Sequence, residues 1–116
     1  LEFRRVLFRS LSGKYVGGAS PDQARLTLFK RFQRYINEQG VSATERYVAL
    51  ARDQGLEPAQ MALAFVHSRP FLTSTIIGAT TMEQLRSNVA SASLTLPPDL
   101  LQAIEKIHTE LPNPCP

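Results

Sequence analysis

Residues 74–79 (STIIGA) are the one stretch of the sequence with the pattern of a buried strand, and this stretch most limits the possible folds. The run is short, apolar and β-branched, as in strands that are covered on both faces. A single strand cannot satisfy its backbone N–H and C=O groups without neighbouring strands. The sequence therefore predicts the last part of a larger α/β domain, mostly helical as a fragment.

Two helices are predicted before this strand. A capping-box pattern at residues 42–45 (SATE) starts the first, and Gly55 is a natural stop. Pro58 suits the first turn of the second, whose apolar run at residues 61–66 indicates burial on several sides. The inward-facing residues predicted for the first helix are Tyr47, Val48, Leu50 and Ala51.

Two more helices are predicted after the strand. One covers residues 82–92, with Leu85, Val89 and Ala92 on one face. The last follows Pro97 and Pro98, and its apolar residues recur at helical spacing: Leu100, Leu101, Ile104, Ile107 and Leu111.

The N-terminal ten residues, LEFRRVLFRS, carry most of the net charge of +3, because three arginines and one glutamate there contribute +2. The segment lacks the apolar stretch and cleavage site of a secretory signal. We expect residues 1–10 to be foreign or artefactual sequence and residues 11–116 to form the folded part. No apolar run reaches the roughly 18 residues of a membrane span. With Cys115 as the single cysteine, we expect a cytoplasmic protein without disulfides.

The junction between the strand and the third helix allows two interpretations. Residues 80–83 (TTME) have capping-box spacing and could do no more than start a helix. The carboxyl end of a buried parallel strand is also where α/β folds bind ligands, and a helix N-terminus suits a phosphate. Gln84 and Asn88 share a helix face, and their carboxamides can donate and accept, as an adenine edge requires.

Several blocks of the sequence resemble the aldo/keto reductase family. Residues 76–88 resemble the segment that closes the cofactor site, and residues 11–15 the loop after the seventh barrel strand. Residues 57–65 resemble the penultimate long helix, while residues 25–29 and 32–35 look most like the Tas-like branch. The blocks occur in the family's order and cover residues 11–116 almost continuously.

The resemblance implies an NADP(H)-dependent oxidoreductase that reduces aldehydes or ketones, with this chain as the C-terminal part of a (β/α)8 TIM barrel. Lys14 would approach the cofactor phosphates and Arg25 the 2′-phosphate. Thr80 and Gln84 would bind the adenosine ribose-phosphate, and Asn88 the adenine. The complete set of implied cofactor-binding residues is Lys14, Arg25, Gly78, Thr80, Gln84 and Asn88.

Two departures from the family pattern qualify this implication. Ser87 stands where relatives often have Glu to contact the adenine amino group, so we expect that contact to be lost or bridged by water. The family's catalytic Asp, Tyr, Lys and His belong to the first half of the barrel. No residue of this chain is assigned a catalytic role, no metal is implied, and we expect this chain on its own to be inactive.

Two alternatives stay open. Potassium-channel β-subunits resemble the same family, which allows a non-catalytic NADP(H)-binding partner that senses redox state. Residues 29–35 (FKRFQRY) interleave aromatic and basic side chains, as single-stranded nucleic-acid platforms do. This patch is a single short stretch in a nearly neutral remainder, so we predict no nucleic-acid partner. A carbonyl compound is the expected small-molecule partner, and neither a membrane nor a particular oligomeric state is implied.

Overall fold

The computed structural model describes residues 11–14, 16–18 and 37–114. Within these ranges the chain is helical and contains no strand. A 3-10 turn at Val16–Gly18 comes first, and a second one follows the third helix. The elements are α1 Glu38–Asp53, α2 Pro58–His67, α3 Met82–Ala90, the 3-10 turn Ser91–Ser93 and α4 Pro98–Glu110.

Helix α1 begins earlier than the sequence pattern predicts, so the predicted capping box at residues 42–45 is wrong. Asn37 is the N-cap, and its Oδ1 accepts a hydrogen bond from the Gly40 N–H at 2.7 Å. Thr44 lies inside the helix and donates its hydroxyl to the Gly40 carbonyl at 2.7 Å. The Asn37 carboxamide caps as well as a hydroxyl does, and it adds a full turn before Ser42.

The end of α1 lies where the sequence predicts it. Gly55 has a φ of 68°, the left-handed conformation that closes a helix. Its N–H donates to the Arg52 carbonyl, and the Leu56 N–H donates to the Ala51 carbonyl, both at 2.9 Å. This pair of bonds is the Schellman motif, which turns the chain directly into α2.

Helix α2 forms the centre of the core, as its apolar run predicts. Pro58 occupies its first turn, and all six residues from Met61 to Val66 are buried. Helices α1, α3 and the second 3-10 turn all pack against it. The buried residues of the core cluster are Leu11, Ala43, Tyr47, Ala51, Met61, Ala62, Ala64, Phe65, Val66, Leu96, Leu100, Ile104 and Ile107.

Helix α4 has the predicted apolar stripe and packs against α1. Leu100, Ile104 and Ile107 are buried, while Leu101 and Leu111 pack partly buried at the edge of the core. Exposed ion pairs border this helix, one between Arg46 and Glu110 and one between Arg69 and Glu105. Such exposed pairs contribute little stability, so α4 is held chiefly by its apolar face.

The predicted strand at residues 74–79 is not a strand in this structure. The segment has no regular secondary structure, and the Ile76 side chain is 84% exposed. A strand forms only where neighbouring strands accept its hydrogen bonds, and the described residues supply none. The segment still leads directly into α3, which places its end next to the helix N-terminus.

Tyr47 is buried between α1 and the rest of the core, and burial raises the pKa of its hydroxyl above 10.0, helped by the charge of Glu105. In the unfolded chain the hydroxyl ionises first, so folding retains a proton that the unfolded state loses. We therefore expect the free energy of unfolding to be unaffected by Tyr47 below pH 10 and to fall as the pH rises through the raised pKa. Urea unfolding between pH 8 and about 11.5 measures this effect. Tyr47→Phe should make the alkaline loss smaller, and an identical pH profile in both proteins would contradict the assignment.

None of the described helices combines the length and the apolar character needed to cross a membrane.

Candidate functional site

The N-terminus of α3 is built by two consecutive threonines. Thr81 is the N-cap, with extended backbone dihedrals, and its hydroxyl accepts a hydrogen bond from the Gln84 N–H at 3.2 Å. The predicted pairing of Thr80 with Glu83 is therefore wrong by one residue. Thr81 and Gln84 have the same capping-box spacing, so the sequence contains two overlapping patterns, and the hydroxyl bond of the second one forms.

The Gln84 side chain also forms hydrogen bonds, but its partner is Thr80 and not the N-cap residue Thr81. Its Oε1 accepts from the Thr80 N–H at 2.9 Å and from the Thr80 hydroxyl at 3.0 Å. Since the Gln84 carbonyl oxygen is occupied in this way, its Nε2 amino group is the part that can donate to a ligand. Thr80 and Gln84 thus form one hydrogen-bonded unit at the start of α3.

Asn88, one turn further along α3, ties the preceding loop to the helix. Its Nδ2 donates to the Gly78 carbonyl at 3.3 Å. The carbonyl oxygen Oδ1 of Asn88 remains able to accept. Gln84, Ser87 and Asn88 are spaced i, i+3 and i+4, so their side chains share one face of α3.

Two side chains from α2 and its N-cap hold Ser87. The Ser87 hydroxyl donates to Glu57 Oε2 at 2.5 Å, and the Gln60 side chain donates to the Ser87 carbonyl at 3.1 Å. A carboxylate therefore does lie next to Ser87, although it comes from the N-cap residue of α2. The expected loss of the adenine contact by the serine itself stays a prediction.

The structure brings together four of the six predicted site residues. Hydrogen bonds join Thr80 to Gln84 and Gly78 to Asn88, and all four residues lie within one short stretch around the start of α3. Lys14 is exposed and follows Gly13, which lies against Val48 of α1.

Other predicted features fall outside the described residues. Arg25 does, and so does the basic-aromatic stretch at residues 29–35.

The α3 N-terminus can bind an anion next to a polar, planar group. The N–H groups of Met82 and Glu83 lie in the first turn, where no intrahelical carbonyl reaches them. These donors and the positive end of the helix dipole suit a phosphate. Further along the same face, Gln84 offers a donor and Asn88 an acceptor. This order suits a ligand with a phosphate at one end and a heterocyclic base at the other.

Sequence reasoning missed Glu57 and Gln60. Each belongs to a helix-forming block, and nothing in the linear pattern connects them to Ser87, which lies 27 or more residues away. The contact arises because α2 and α3 pack together. Only a prediction of that packing could have revealed it.

A small pocket elsewhere in the molecule is not a candidate site. It has a volume of about 20 Å³ and is lined by side chains of the core, including Tyr47, Met61, Phe65 and Ile104. This volume holds about one water molecule and excludes a nucleotide.

Comparison with known proteins identifies the family. Residues 7–109 match the aldo/keto reductase family. The match begins inside the first ten residues, so the predicted boundary at residue 11 stays a prediction.

The chain is similar to several curated proteins. It is 52% identical over 109 residues to Protein tas of Escherichia coli, which covers 94% of this chain and 32% of that protein. An uncharacterized oxidoreductase of Bacillus subtilis, YrpG, is 35% identical over 88% of this chain and 31% of its own length. A probable voltage-gated potassium channel subunit beta of Arabidopsis thaliana is 32% identical over 89% of this chain and 33% of its own length. The chain thus spans about a third of the length of these relatives, and it belongs to the aldo/keto reductase family.

Proposed function

We propose that this chain contributes the adenosine-phosphate half of the cofactor site to an NADP(H)-dependent oxidoreductase that reduces aldehydes or ketones. The observation that carries the proposal is the hydrogen-bonded group formed by Gly78, Thr80, Gln84 and Asn88 at the start of α3. It occurs in a member of a family of oxidoreductases. A bare capped helix would not need Asn88 to hold the loop at Gly78.

The donors and acceptors of this group follow one another along α3 in the same order as the phosphate and the adenine of the cofactor. The free N–H groups of the first turn of α3 would receive a phosphate of the adenosine moiety. The Thr80 hydroxyl, which donates to Gln84 Oε1 at 3.0 Å, would bind the phosphate by turning its hydrogen from Gln84 to the ligand. Asn88 lies seven residues beyond the N-cap, which is roughly 10 Å along a helix at 1.5 Å per residue. That spacing separates the phosphate end from the adenine end of one nucleotide.

Basic side chains complete the proposed phosphate site. Lys14 and Arg25 are assigned to the cofactor phosphates, with Arg25 at the 2′-phosphate that distinguishes NADP(H) from NAD(H). The assignment rests on their positions in the family pattern. Lys14 is exposed at the surface, as a lysine that meets a phosphate must be.

The chemistry of the proposed reaction needs other residues. When bound, the reduced nicotinamide would supply a hydride for the carbonyl carbon, and a tyrosine of the family's Asp, Tyr, Lys and His tetrad would protonate the oxygen. We assign none of these four roles to a residue of this chain. Its role is to bind and orient the cofactor by the adenosine end.

A second candidate function is cofactor binding without reduction of a carbonyl substrate. The relative from Arabidopsis thaliana is named as a probable potassium channel subunit, which supports a non-catalytic, redox-sensing partner as the alternative. The family is one of reductases, and the Bacillus subtilis relative named as an oxidoreductase is 35% identical, against 32% for the channel subunit, so the oxidoreductase proposal is preferred.

Titration of the isotope-labelled chain with NADP⁺, followed by NMR, tests the proposed site. We expect amide shifts concentrated between residues 78 and 88. Asn88→Ala should weaken binding about tenfold, because it removes both the adenine contact and the bond that holds Gly78. Asn113→Ala is the matched control, since Asn113 is exposed near the C-terminus, and it should leave the affinity unchanged. The absence of shifts at residues 78–88 at saturating NADP⁺ would refute the site.

A further inference from the structure

We propose that Glu57 reads the adenine amino group of the bound cofactor, as a carboxylate supplied to α3 by α2. The inference rests on the proposed function, because it names a residue that selects the base at the same site. The observation behind it is the hydrogen bond from the Ser87 hydroxyl to Glu57 Oε2 at 2.5 Å.

The position of the Glu57 carboxylate relative to α3 is the first observation that supports this role. Ser87 lies on the same face of α3 as Gln84 and Asn88, the two residues assigned to the nucleotide. The bond to Ser87 holds the Glu57 carboxylate against this face, although Glu57 itself is the N-cap residue of α2.

A second contact fixes the relation between the two helices. Gln60, one turn after Glu57 on α2, donates its Nε2 to the Ser87 carbonyl at 3.1 Å. Ser87 is thus held at its backbone and at its side chain by the same end of α2. The carboxylate is positioned by this packing and does not depend on a long, freely rotating side chain of α3.

The chemistry of the group then limits what it can recognise. A carboxylate only accepts hydrogen bonds, and its two oxygens offer about four lone-pair positions. One position is used by Ser87, and because Glu57 is exposed the carboxylate is accessible to a ligand. The exocyclic amino group of adenine is a donor, so it matches this acceptor, whereas a keto oxygen at the same place would be repelled.

Charge is compatible with this arrangement. Adenine is neutral, and position 87 lies six residues from the N-cap of α3, roughly 9 Å along the helix axis. The carboxylate is therefore separated from the phosphate at the first turn. It also sits at the N-terminus of α2, where a negative charge is favoured by the helix dipole.

The test compares the affinity of the chain for NADP⁺ and for its hypoxanthine analogue, in which a keto oxygen replaces the amino group. We expect the analogue to bind about tenfold more weakly, the size of one hydrogen bond to a charged group. Glu57→Gln should reduce the ratio to about twofold, because a carboxamide can present either a donor or an acceptor. Ser87→Ala should give an intermediate ratio, since the carboxylate then loses its anchor.

Glu38→Gln is the matched control. Glu38 is also an exposed glutamate at the start of a helix, and its replacement should leave the ratio near ten. Binding of NADP⁺ and its analogue with equal affinity by the unmodified chain overturns the role of Glu57 and leaves the proposed function intact. Failure of both nucleotides to bind overturns the proposed function together with this inference.

Discussion

Replacing Leu100 with alanine is expected to lower the free energy of unfolding by about 2–5 kcal/mol, the range for deleting a buried leucine side chain. Leu100 is 1% exposed and is one of the largest fully buried side chains. It lies in the first turns of α4 and belongs to the same core cluster as Tyr47 and Ala51 of α1. Small domains have only about 5–15 kcal/mol of stability, so this single change should move the urea midpoint strongly or unfold the chain.

The matched control for Leu100 is Leu85→Ala. Leu85 is a leucine in α3 that is 38% exposed and outside the core cluster. Its replacement should cost clearly less than that of Leu100, because the Leu85 side chain is partly exposed and its removal leaves no enclosed cavity in the core. Urea unfolding followed by far-ultraviolet circular dichroism measures both. Equal losses in the two variants would mean that α4 does not pack as described.

The helices could be predicted from the sequence because their signals are local. Pro58 at the start of α2, Gly55 after α1 and the apolar run at residues 61–66 each act within one or two turns. The periodicity of α4 likewise indicates a single buried face, and its buried residues are Leu100, Ile104 and Ile107. Local signals fail where two of them overlap, as at residues 80–81, because the choice between caps depends on the surrounding chain.

The predicted strand at residues 74–79 shows a second reason why a prediction from sequence can fail. Its pattern is that of a buried strand, and the family implies a TIM barrel in which parallel strands pair side by side. The chain covers about a third of the relatives' length, and the described residues contain no partner strand. Large apolar side chains on both sides of this segment are exposed as well, with Phe71 at 80% and Met82 at 62%. The sequence pattern indicates that residues 74–79 can form a buried strand. Whether they do so depends on neighbouring strands that accept their backbone hydrogen bonds.

Part of the candidate site could be predicted because it, too, depends on local helical spacing. Gln84 and Asn88 are four residues apart, so helical geometry alone places them on one face. The bond from Asn88 to Gly78 and the bond from Ser87 to Glu57 each join the helix to a different segment. No spacing rule predicts contacts of that kind, since they depend on how α2, α3 and the preceding loop pack.

The isolated 116-residue chain is expected to show no carbonyl-dependent oxidation of NADPH. In the proposed reaction the proton donor is the tyrosine of the family's tetrad, which would need a lowered pKa to give up its proton readily. Tyr47 is the one tyrosine among the described residues, and it has the opposite property. It is buried in the helical core, where burial and the charge of Glu105 raise the pKa of its hydroxyl. Nor does it lie on the face of α3 assigned to the nucleotide.

The rate of NADPH oxidation with the chain should therefore equal the protein-free rate. An active enzyme would be easy to distinguish, since enzymes commonly exceed the uncatalysed rate by a factor of about 10⁶ or more. The measurement is NADPH consumption with a panel of aldehydes and ketones, with a full-length member of the family as the positive control. Turnover that exceeds the protein-free rate would contradict the prediction, and its disappearance in Tyr47→Phe would identify Tyr47 as the acid. Because Phe fills the same buried volume, that variant separates the loss of a proton donor from the loss of the fold.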